Sequence, residues 1–488
     1  MNIRNIQLIT TTTAVGKGAN DGIYPPGGLL TIARALKTEF PELAITIDDQ
    51  HHQDVIINTD ADLVGIQVAS TLCYQNSLEV AQQAKEQGKL VLLGGPHVTA
   101  LYQQIMQKRD FVDFAIRGKG EKPLLALLQA LRQASSYETV PSLSWRRENK
   151  VIHNPVQNPL DWNYDDFTPL PLHLLSSGME SYWTAFRNTI NPAVDAAFLL
   201  FTHFGCGFRQ KRIDSTQRLG LPVFPLAGKT PFCSYCSLDD PPISRDPQKI
   251  LGEIKAYIDR YGLPKASKIH LKCYGDNIGP QLPLVQSLAQ AIEQYNWWQD
   301  YDISWTFYCQ SSYLNEPLAL LLKRIGTSHL YIGYDGANDE VQRLNGLGTT
   351  LKSHYKATEL CQKYGILIQA GSVVGLQGET PETLEELYNF FLDLTNKNVL
   401  ERINSAVLFI IPGTPAYEML AAKEPQIRGE DLLKTNEIRE LWIKHFCSQV
   451  NLELLQDYAD KIDALSPGPH ASMGFESALL KQRREKVL

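Results

Sequence analysis

Three cysteines carry the strongest chemical signal in the chain: Cys206, and the pair in Cys233-Ser234-Tyr235-Cys236. Three thiolates can hold a [4Fe-4S] cluster and leave one iron open to a further ligand, which is where chemistry can start. The apolar run Phe198-Leu199-Leu200-Phe201 leads through Thr202-His203-Phe204-Gly205 to the first cysteine, and Tyr235 stands directly before the last. Twenty-six residues, 207–232, separate Cys206 from Cys233. Cluster ligands need thiolate geometry and a protected environment, not adjacency, so the excursion is physically allowed. Three readings are open from the residues alone: an iron-sulfur site, a Cys-x-x-Cys zinc or redox site with His203 as a further zinc ligand, and buried thiols without a ligand.

The elements that would position these cysteines are strands alternating with helices. From Ala197 to about Glu418 the strand candidates are the run before Cys206, Lys268 to Tyr274, Ile303 to Tyr308, His329 to Tyr334, Leu367 to Val374 and Ser405 to Ile411. After the cysteine loop, Asp246 and Pro247 suit a helix start, Ile250, Leu251, Ile254, Tyr257 and Ile258 recur at helical spacing, and Gly262 suits the end. The first 135 residues alternate in the same way. Strands are expected at Asn5 to Thr10, Ala44 to Asp48, Leu63 to Val68, Leu90 to Leu93 and Phe111 to Ile116, and helices at Gly28 to Thr38, Asn76 to Gln87 and Lys122 to Gln133. A hairpin is expected from Ser142 to Val151, then a segment rich in proline and aspartate, Asn154 to Pro171, with Trp162, Tyr164 and Phe167 available to pin it.

In a parallel sheet, ligands gather beyond the carboxyl ends of the strands, where the loops Ala69-Ser70-Thr71, Gly94-Gly95-Pro96-His97 and Arg117-Gly118-Lys119-Gly120-Glu121 fall. In this order and spacing they resemble the cobalamin-binding Rossmann domain of many radical S-adenosylmethionine (SAM) enzymes; the alternative is that the glycines only make tight strand-to-helix turns. The resemblance implies cobalamin contacts at Ser70, Thr71, Gly94, Gly95, His97, Gly118, Gly120 and Glu121. The Asp-x-His-x-x-Gly signature that gives cobalt a histidine in cobalamin mutases is absent.

The cysteine loop is similar to that of the radical SAM superfamily, whose usual pattern has three residues between the first two cysteines. On that resemblance Cys206, Cys233 and Cys236 bind the cluster and Tyr235 contacts SAM. Gly275-Asp276-Asn277 stands where the family meets the methionine amino group, with a turn-capping role for Asp276 as the alternative. Cys309-Gln310-Ser311-Ser312 stands at a cofactor-contacting position without the arginine that relatives often carry. Tyr331-Ile332-Gly333-Tyr334-Asp335-Gly336 resembles Ile-Gly-x-Glu-Ser, with Asp335 offered to the ribose hydroxyls or else in a surface turn. Gly371-Ser372-Val373-Val374-Gly375-Leu376-Gln377-Gly378-Glu379 is similar to the adenine-binding stretch, which implicates Gly371, Val373 and Gly375; Pro412-Gly413-Thr414 completes the series. These motifs fall in the family's order.

The expected class is therefore α/β. It comprises an N-terminal doubly wound, Rossmann-like domain of the cobalamin-binding type (1–150), a linker (151–195), a partial (β/α)6 TIM barrel, the radical SAM core (196–420), and a helical C-terminal extension (421–488). The resemblance implies a [4Fe-4S] cluster, SAM and cobalamin as cofactors, an electron donor protein as partner, and methylation of an unactivated carbon of a small molecule in specialised metabolism. Two alternatives are a radical SAM enzyme without cobalamin that rearranges its substrate or transfers another part of SAM, and a non-catalytic zinc or corrinoid sensor. Aromatic residues near strand ends, Trp305, Tyr308 and Tyr334, line a substrate cavity or belong to the core.

Composition bounds the rest. A chain of 488 residues, 43% hydrophobic and 20% charged, exceeds one ordinary core and is globular. A net charge of -7 gives no general attraction to nucleic acid. No signal peptide or membrane span is read, so a cytoplasmic enzyme without nucleic-acid or membrane partners is expected. Cys73, Cys273, Cys309, Cys361 and Cys447 are scattered singly and read as core residues. The cysteine excursion is expected to form a lid or partner-facing loop, with Arg209, Lys211, Arg212 and Lys229 meeting an anionic substrate or solvent.

Overall fold

The computed structural model describes residues 3–13, 22–148, 150–156, 169–206, 233–237, 242–432 and 434–467. Trp162, Tyr164, Phe167 and the four basic residues of the cysteine excursion lie outside them. The described chain forms two compact units, one from residues up to 193 with a returning segment around Asp431, the other from residues 194–428 and 434–467.

In the first unit β1 (Asn5–Thr10), β2 (Ala44–Asp49), β3 (Leu63–Gln67), β4 (Leu90–Gly94) and β5 (Phe114–Ile116) run parallel. The antiparallel β6 (Leu143–Arg147) and β7 (Lys150–His153) extend the sheet in the order β2-β1-β3-β4-β5-β6-β7. The parallel strands are near-continuous apolar runs because helices cover both faces of such a sheet. The expected strand from Phe111 is shorter than its apolar content suggested. Val112 N–H closes a turn on Arg109, and Asp113 meets Val91 through its N–H and its carboxylate, which also accepts from Lys85, so regular strand pairing begins only at Phe114. Sequence reading also passed over the helix Pro96–Lys108, whose Gln-rich face and non-helical Leu101 blur its period. A helix, Gly178–Thr189, lies within the stretch read as linker.

The second unit holds a six-stranded, wholly parallel sheet in the order β15-β14-β13-β12-β11-β8. Its strands are β8 (Ala196–Leu200), β11 (Lys268–Cys273), β12 (Asp302–Tyr308), β13 (Thr327–Gly333), β14 (Leu367–Val374) and β15 (Leu400–Val407); β9 (His203–Phe204) and β10 (Ile243–Ser244) form a small separate ribbon. Sequential parallel neighbours with helical crossovers make the partial barrel. The helix Pro247–Tyr261 starts and stops as its sequence dictates: the Asp246 carboxylate accepts from Gln248 and Lys249 N–H, and Gly262 turns left-handed at φ +58°. The last strand is displaced from the expected Ser405 to Ile411: Leu408 N–H makes a last bond to the Val374 carbonyl and Phe409 to Ile411 lies beyond the ladder, whereas the polar Glu401, Arg402 and Asn404 lie within the strand.

Outward and inward faces follow from register. Phe198 on β8 stacks on Tyr257 of a covering helix, so Phe198 and its partner Leu271 face outward. Leu199 and its partner Lys272 therefore face inward. Trp305 pairs with Leu271 and stacks on Trp298 and Phe307, and the Tyr334 hydroxyl bonds Thr358 of the helix Leu351–Tyr364. Of the three aromatics read as cavity or core, Trp305 and Tyr334 are core, and Tyr308 faces the barrel interior.

Candidate functional site

The first cysteine loop is held by the turn after β11. Gly205 N–H donates to the Asp276 carboxylate at 2.5 Å, and Asn277 Nδ2 lies 3.8 Å from Cys206 Sγ. Asn277 Oδ1 also accepts from Gln310 N–H at 3.1 Å, which ties this turn to the one after β12, and Gln310 Nε2 donates to the Leu347 carbonyl at 2.6 Å. Nearby in sequence, Asn345 receives the second cysteine loop: Ser234 donates to it through both its N–H and its hydroxyl, each at 2.9 Å. Asn345 further exchanges hydrogen bonds with the backbone of Gln377, beyond β14. Tyr235 donates to Asp335 at 2.6 Å. Both cysteine loops are thus bonded to the turns that follow the barrel strands, on which ligands of such folds are built.

Cys206, Cys233 and Cys236 are part-exposed, whereas the other five cysteines are buried, and none forms a disulfide. That contrast separates accessible, ligand-competent thiols from inert ones. Among the described residues no three His, Cys, Asp or Glu side chains converge closely enough for a single metal ion. A cubane distributes its thiolates over separate irons, so its ligands need not converge on one point. His203, the further zinc ligand read from the sequence, is engaged elsewhere. The His203 ring bonds Thr202 through Nδ1, abuts Gly275, and is pushed by burial to a pKa of about 3. Three part-exposed thiols are the donor type that an iron-sulfur cluster takes.

The expected SAM residues fall into two groups. Asp335 is half-buried, accepts from Tyr235 and from Val373 N–H, and the loss of hydration there lifts its pKa to about 6. Gln310 Oε1 is a buried acceptor with no donor among the described residues, as an atom awaiting a ligand would be. Gly371 backs onto the Tyr331 phenol, which leaves no room for a side chain. Gly375, at φ +92°, has its N–H bound by Glu379 at 2.6 Å and its carbonyl by Trp442 Nε1 at 2.8 Å. Ser311 is turned elsewhere: its hydroxyl bonds His354 and Ser353, so its side chain serves the packing of the helix Leu351–Tyr364. Gly275 and Asp276 lie at the end of β11, with Asp276 engaged by the cysteine loop.

In the first unit the expected cobalamin loops all follow strands β3, β4 and β5. Ser70 caps a short turn by accepting from Leu72 N–H. At Gly94-Gly95 the chain needs glycine: Gly95 has φ +106°, and a Cβ there would lie 2.5 Å from the Val68 carbonyl. Gly118 N–H donates to Thr99, Gly120 packs on Ile32, and Glu121 is buried in the first turn of its helix. His97 has both ring nitrogens engaged, Nδ1 with Thr71 at 3.0 Å and Nε2 with the Asp431 carbonyl at 3.2 Å, and burial lowers its pKa to about 4. Thr71 is correspondingly occupied. These loops offer small residues and backbone groups but no free imidazole, which fits a corrinoid held without histidine ligation by this loop.

Asn277 was within the quoted Gly275-Asp276-Asn277 stretch, but its bonds to Cys206 and Gln310 were not foreseen; sequence reasoning missed Asn345, which no motif marks, and Asp431, which receives Arg109 through both Nε and Nη2 together with the Tyr74 hydroxyl. Glu379 was visible in the Gly-Glu motif but not recognised as the anchor of Gly375.

Residues 16–128 match the B12-binding domain model and residues 230–391 the Radical SAM superfamily model. The second match takes in Cys233 and Cys236 but not Cys206. An uncharacterized methyltransferase of Pyrococcus horikoshii is 24% identical over 444 residues, covering 88% of this chain and 86% of its own. The anaerobic magnesium-protoporphyrin IX monomethyl ester cyclase of Rubrivivax gelatinosus is 23% identical over 398 residues, 76% of this chain and 62% of its own. Among solved structures, the radical SAM methyltransferase TsrM of Kitasatospora setae, with cobalamin and a [4Fe-4S] cluster bound, aligns with TM-score 0.64 at 16% identity over 86% of this chain and 79% of its own. The cobalamin-dependent radical enzyme OxsB aligns with TM-score 0.63 at 14% identity, covering 87% of this chain and 61% of its own.

Proposed function

Because the chain joins a B12-binding domain to a radical SAM domain, the architecture of the cobalamin-dependent radical SAM enzymes, we propose that it methylates an unactivated carbon of a small molecule. The observation that supports this most is the pair of cysteine loops, their thiols part-exposed, bonded to the segments that follow β11 and β13 through Asn277 and Asn345. Residues 1–150 hold cobalamin on the loops after β3, β4 and β5; residues 196–420 hold the cluster and SAM, with 151–195 and 421–488 as linker and extension.

When bound, the cluster supplies single electrons to SAM, and cobalamin carries the methyl group. The protein supplies position. Cys206, Cys233 and Cys236 ligate the cluster, and Tyr235 fixes the second loop by its bond to Asp335. Gln310 Oε1 accepts from the cofactor, while Gly371, Val373 and the turn that Glu379 fixes at Gly375 give the adenine a flat backbone bed. Gly94, Gly95, Gly118 and Gly120 admit the corrinoid close to backbone. An electron donor protein must reduce the cluster, and the substrate is a small molecule, as tryptophan is for TsrM.

Anaerobic purification with iron, sulfide, zinc and cobalt analysis tests the reading. About four irons per chain with cobalt supports it. Cys206→Ala and Cys233→Ala should each lose the iron, and zinc alone, or full iron retention in Cys206→Ala, would overturn the cluster assignment.

A further inference from the structure

The inner face of the barrel is polar where such barrels are usually filled with branched apolar side chains. By register it presents His270 and Lys272 from β11, Thr306 and Tyr308 from β12, Tyr331 from β13 and Arg402 from β15. The histidines of this face are satisfied by neighbours: His270 bonds Ser304 and Thr306, and His329 bonds Glu401 at 3.1 Å. Glu401 also accepts from Gln369, so its carboxylate is committed.

Three donors of this face are not. Lys272 is 6% exposed and its ammonium sits 3.9 Å from the centroid of the Tyr308 ring, with no acidic partner. Arg402 has no hydrogen-bond or ion-pair partner among the described residues, yet it stands close enough to Lys272 to disfavour its charge. The Tyr331 hydroxyl likewise has none; its ring lies 5.0 Å from that of Tyr308. A buried lysine facing an arginine, neither in an ion pair and with Glu401 acting on Arg402 only through space, is costly, and burial with that neighbour lowers the Lys272 pKa to about 7. Such an arrangement suits a site whose anion arrives with the ligand. Strand-borne side chains between aromatic rings suit a carboxylate on a planar or slender body, whereas phosphate seats are built from glycine turns and helix N-termini, absent from this face among the described residues.

We propose that Lys272, Arg402 and Tyr331 form a carboxylate seat in the barrel interior, and that the methylated substrate is a carboxylic acid anchored there. This rests on the reading above for the identity of the reaction, but the seat is testable without turnover. The probe is acetate against its neutral counterpart acetamide, titrated by carbon-13 relaxation into the anaerobically purified protein, whose iron and cobalt content is recorded separately. Acetate is expected to bind at least tenfold tighter than acetamide, and Lys272→Met and Arg402→Met each to abolish that preference, with Lys272→Arg restoring part of it. Thermal melting and SAM titration of the variants should match the wild type; either methionine variant suffices if the other misfolds. Equal binding of acetate and acetamide, or an undiminished preference in both methionine variants, overturns the proposal. So does loss of SAM affinity in Lys272→Met, which would give the seat to the methionine carboxylate of the cofactor. Failure to load iron and cobalt would instead count against the reaction assigned above.

Discussion

Glu379 makes a prediction whose size comes directly from its surroundings. It is 3% exposed, accepts from Gly375 and Leu376 N–H, and burial lifts its pKa from 4.5 to about 8. A carboxyl whose folded pKa is raised binds a proton more readily in the native than in the unfolded state. Its contribution to stability is fully present below pH 4.5 and is lost as pH rises through 8. Between those limits the native chain carries one extra proton at this site, so stability should fall by about 1.4 kcal/mol per pH unit on its account, some 4 to 5 kcal/mol in all as an order of magnitude. Glu379→Gln keeps an oxygen for Gly375 N–H but cannot ionise; it should cost about 1 kcal/mol at low pH through imperfect pairing and then gain on the wild type as pH rises. The assay is denaturant unfolding of both proteins from pH 5 to 8.5, following the cooperative transition that reports Trp442, which bonds the same Gly375. The difference between the two curves should change by more than 2 kcal/mol across that range. A difference constant within about 0.5 kcal/mol would mean that Glu379 is solvated or paired in solution, and that the turn at Gly375 is held by something else.

Tyr235→Phe should push the Asp335 pKa above its present value of about 6 by removing a donor, and SAM affinity should then weaken at a higher pH than in the wild type; calorimetric titration from pH 5 to 8 checks this, and an unmoved pH dependence would exclude Asp335 from the cofactor site. Asp431→Ala leaves Arg109 and Tyr74 without their acceptor and should destabilise the first unit by roughly 2–4 kcal/mol. Because the Asp431 pKa is lowered, chiefly by Arg109 and Tyr74 against its burial, its contribution is present above about pH 4 and lost as pH falls through the folded value, so wild type and variant should converge in acid melts. Gly95→Ala forces a side chain against the Val68 carbonyl at positive φ and should cost roughly 3 kcal/mol together with corrinoid binding, measured by melting and by retention of cobalamin.

Much of the fold was legible because both units are parallel sheets whose strands announce themselves as short apolar runs between glycine-marked turns. β1 and β14 fall where the sequence puts them, residue for residue. The misses share a physical cause, which is that local polarity misreports pairing. Phe409 to Ile411 is as apolar as any strand yet lies beyond the ladder, while Leu400 to Asn404 carries a glutamate and an arginine and stays in it, since this barrel's interior accepts charge. The helix Pro96–Lys108 hid behind a glycine-proline start that also fits a plain turn.

The site divides along the same line. Ligand types can be read from residue chemistry, so the cysteines and the glycine turns were found, whereas the groups that hold them are ordinary amides: Asn277 and Asn345 acquire a role only once distant turns meet. Lys272 and Arg402 were invisible for a further reason. The alternation Ser304-Trp305-Thr306-Phe307-Tyr308 is in the sequence, but alternation of this kind equally describes a strand with one face in solvent. Only the pairing of Leu199 with Lys272 and of Gln369 with Arg402 turns both cations inward. An interior cation on a solvent-facing strand would be unremarkable; two on the enclosed face of a barrel require either a partner from the chain, which the described residues do not supply, or one from the substrate.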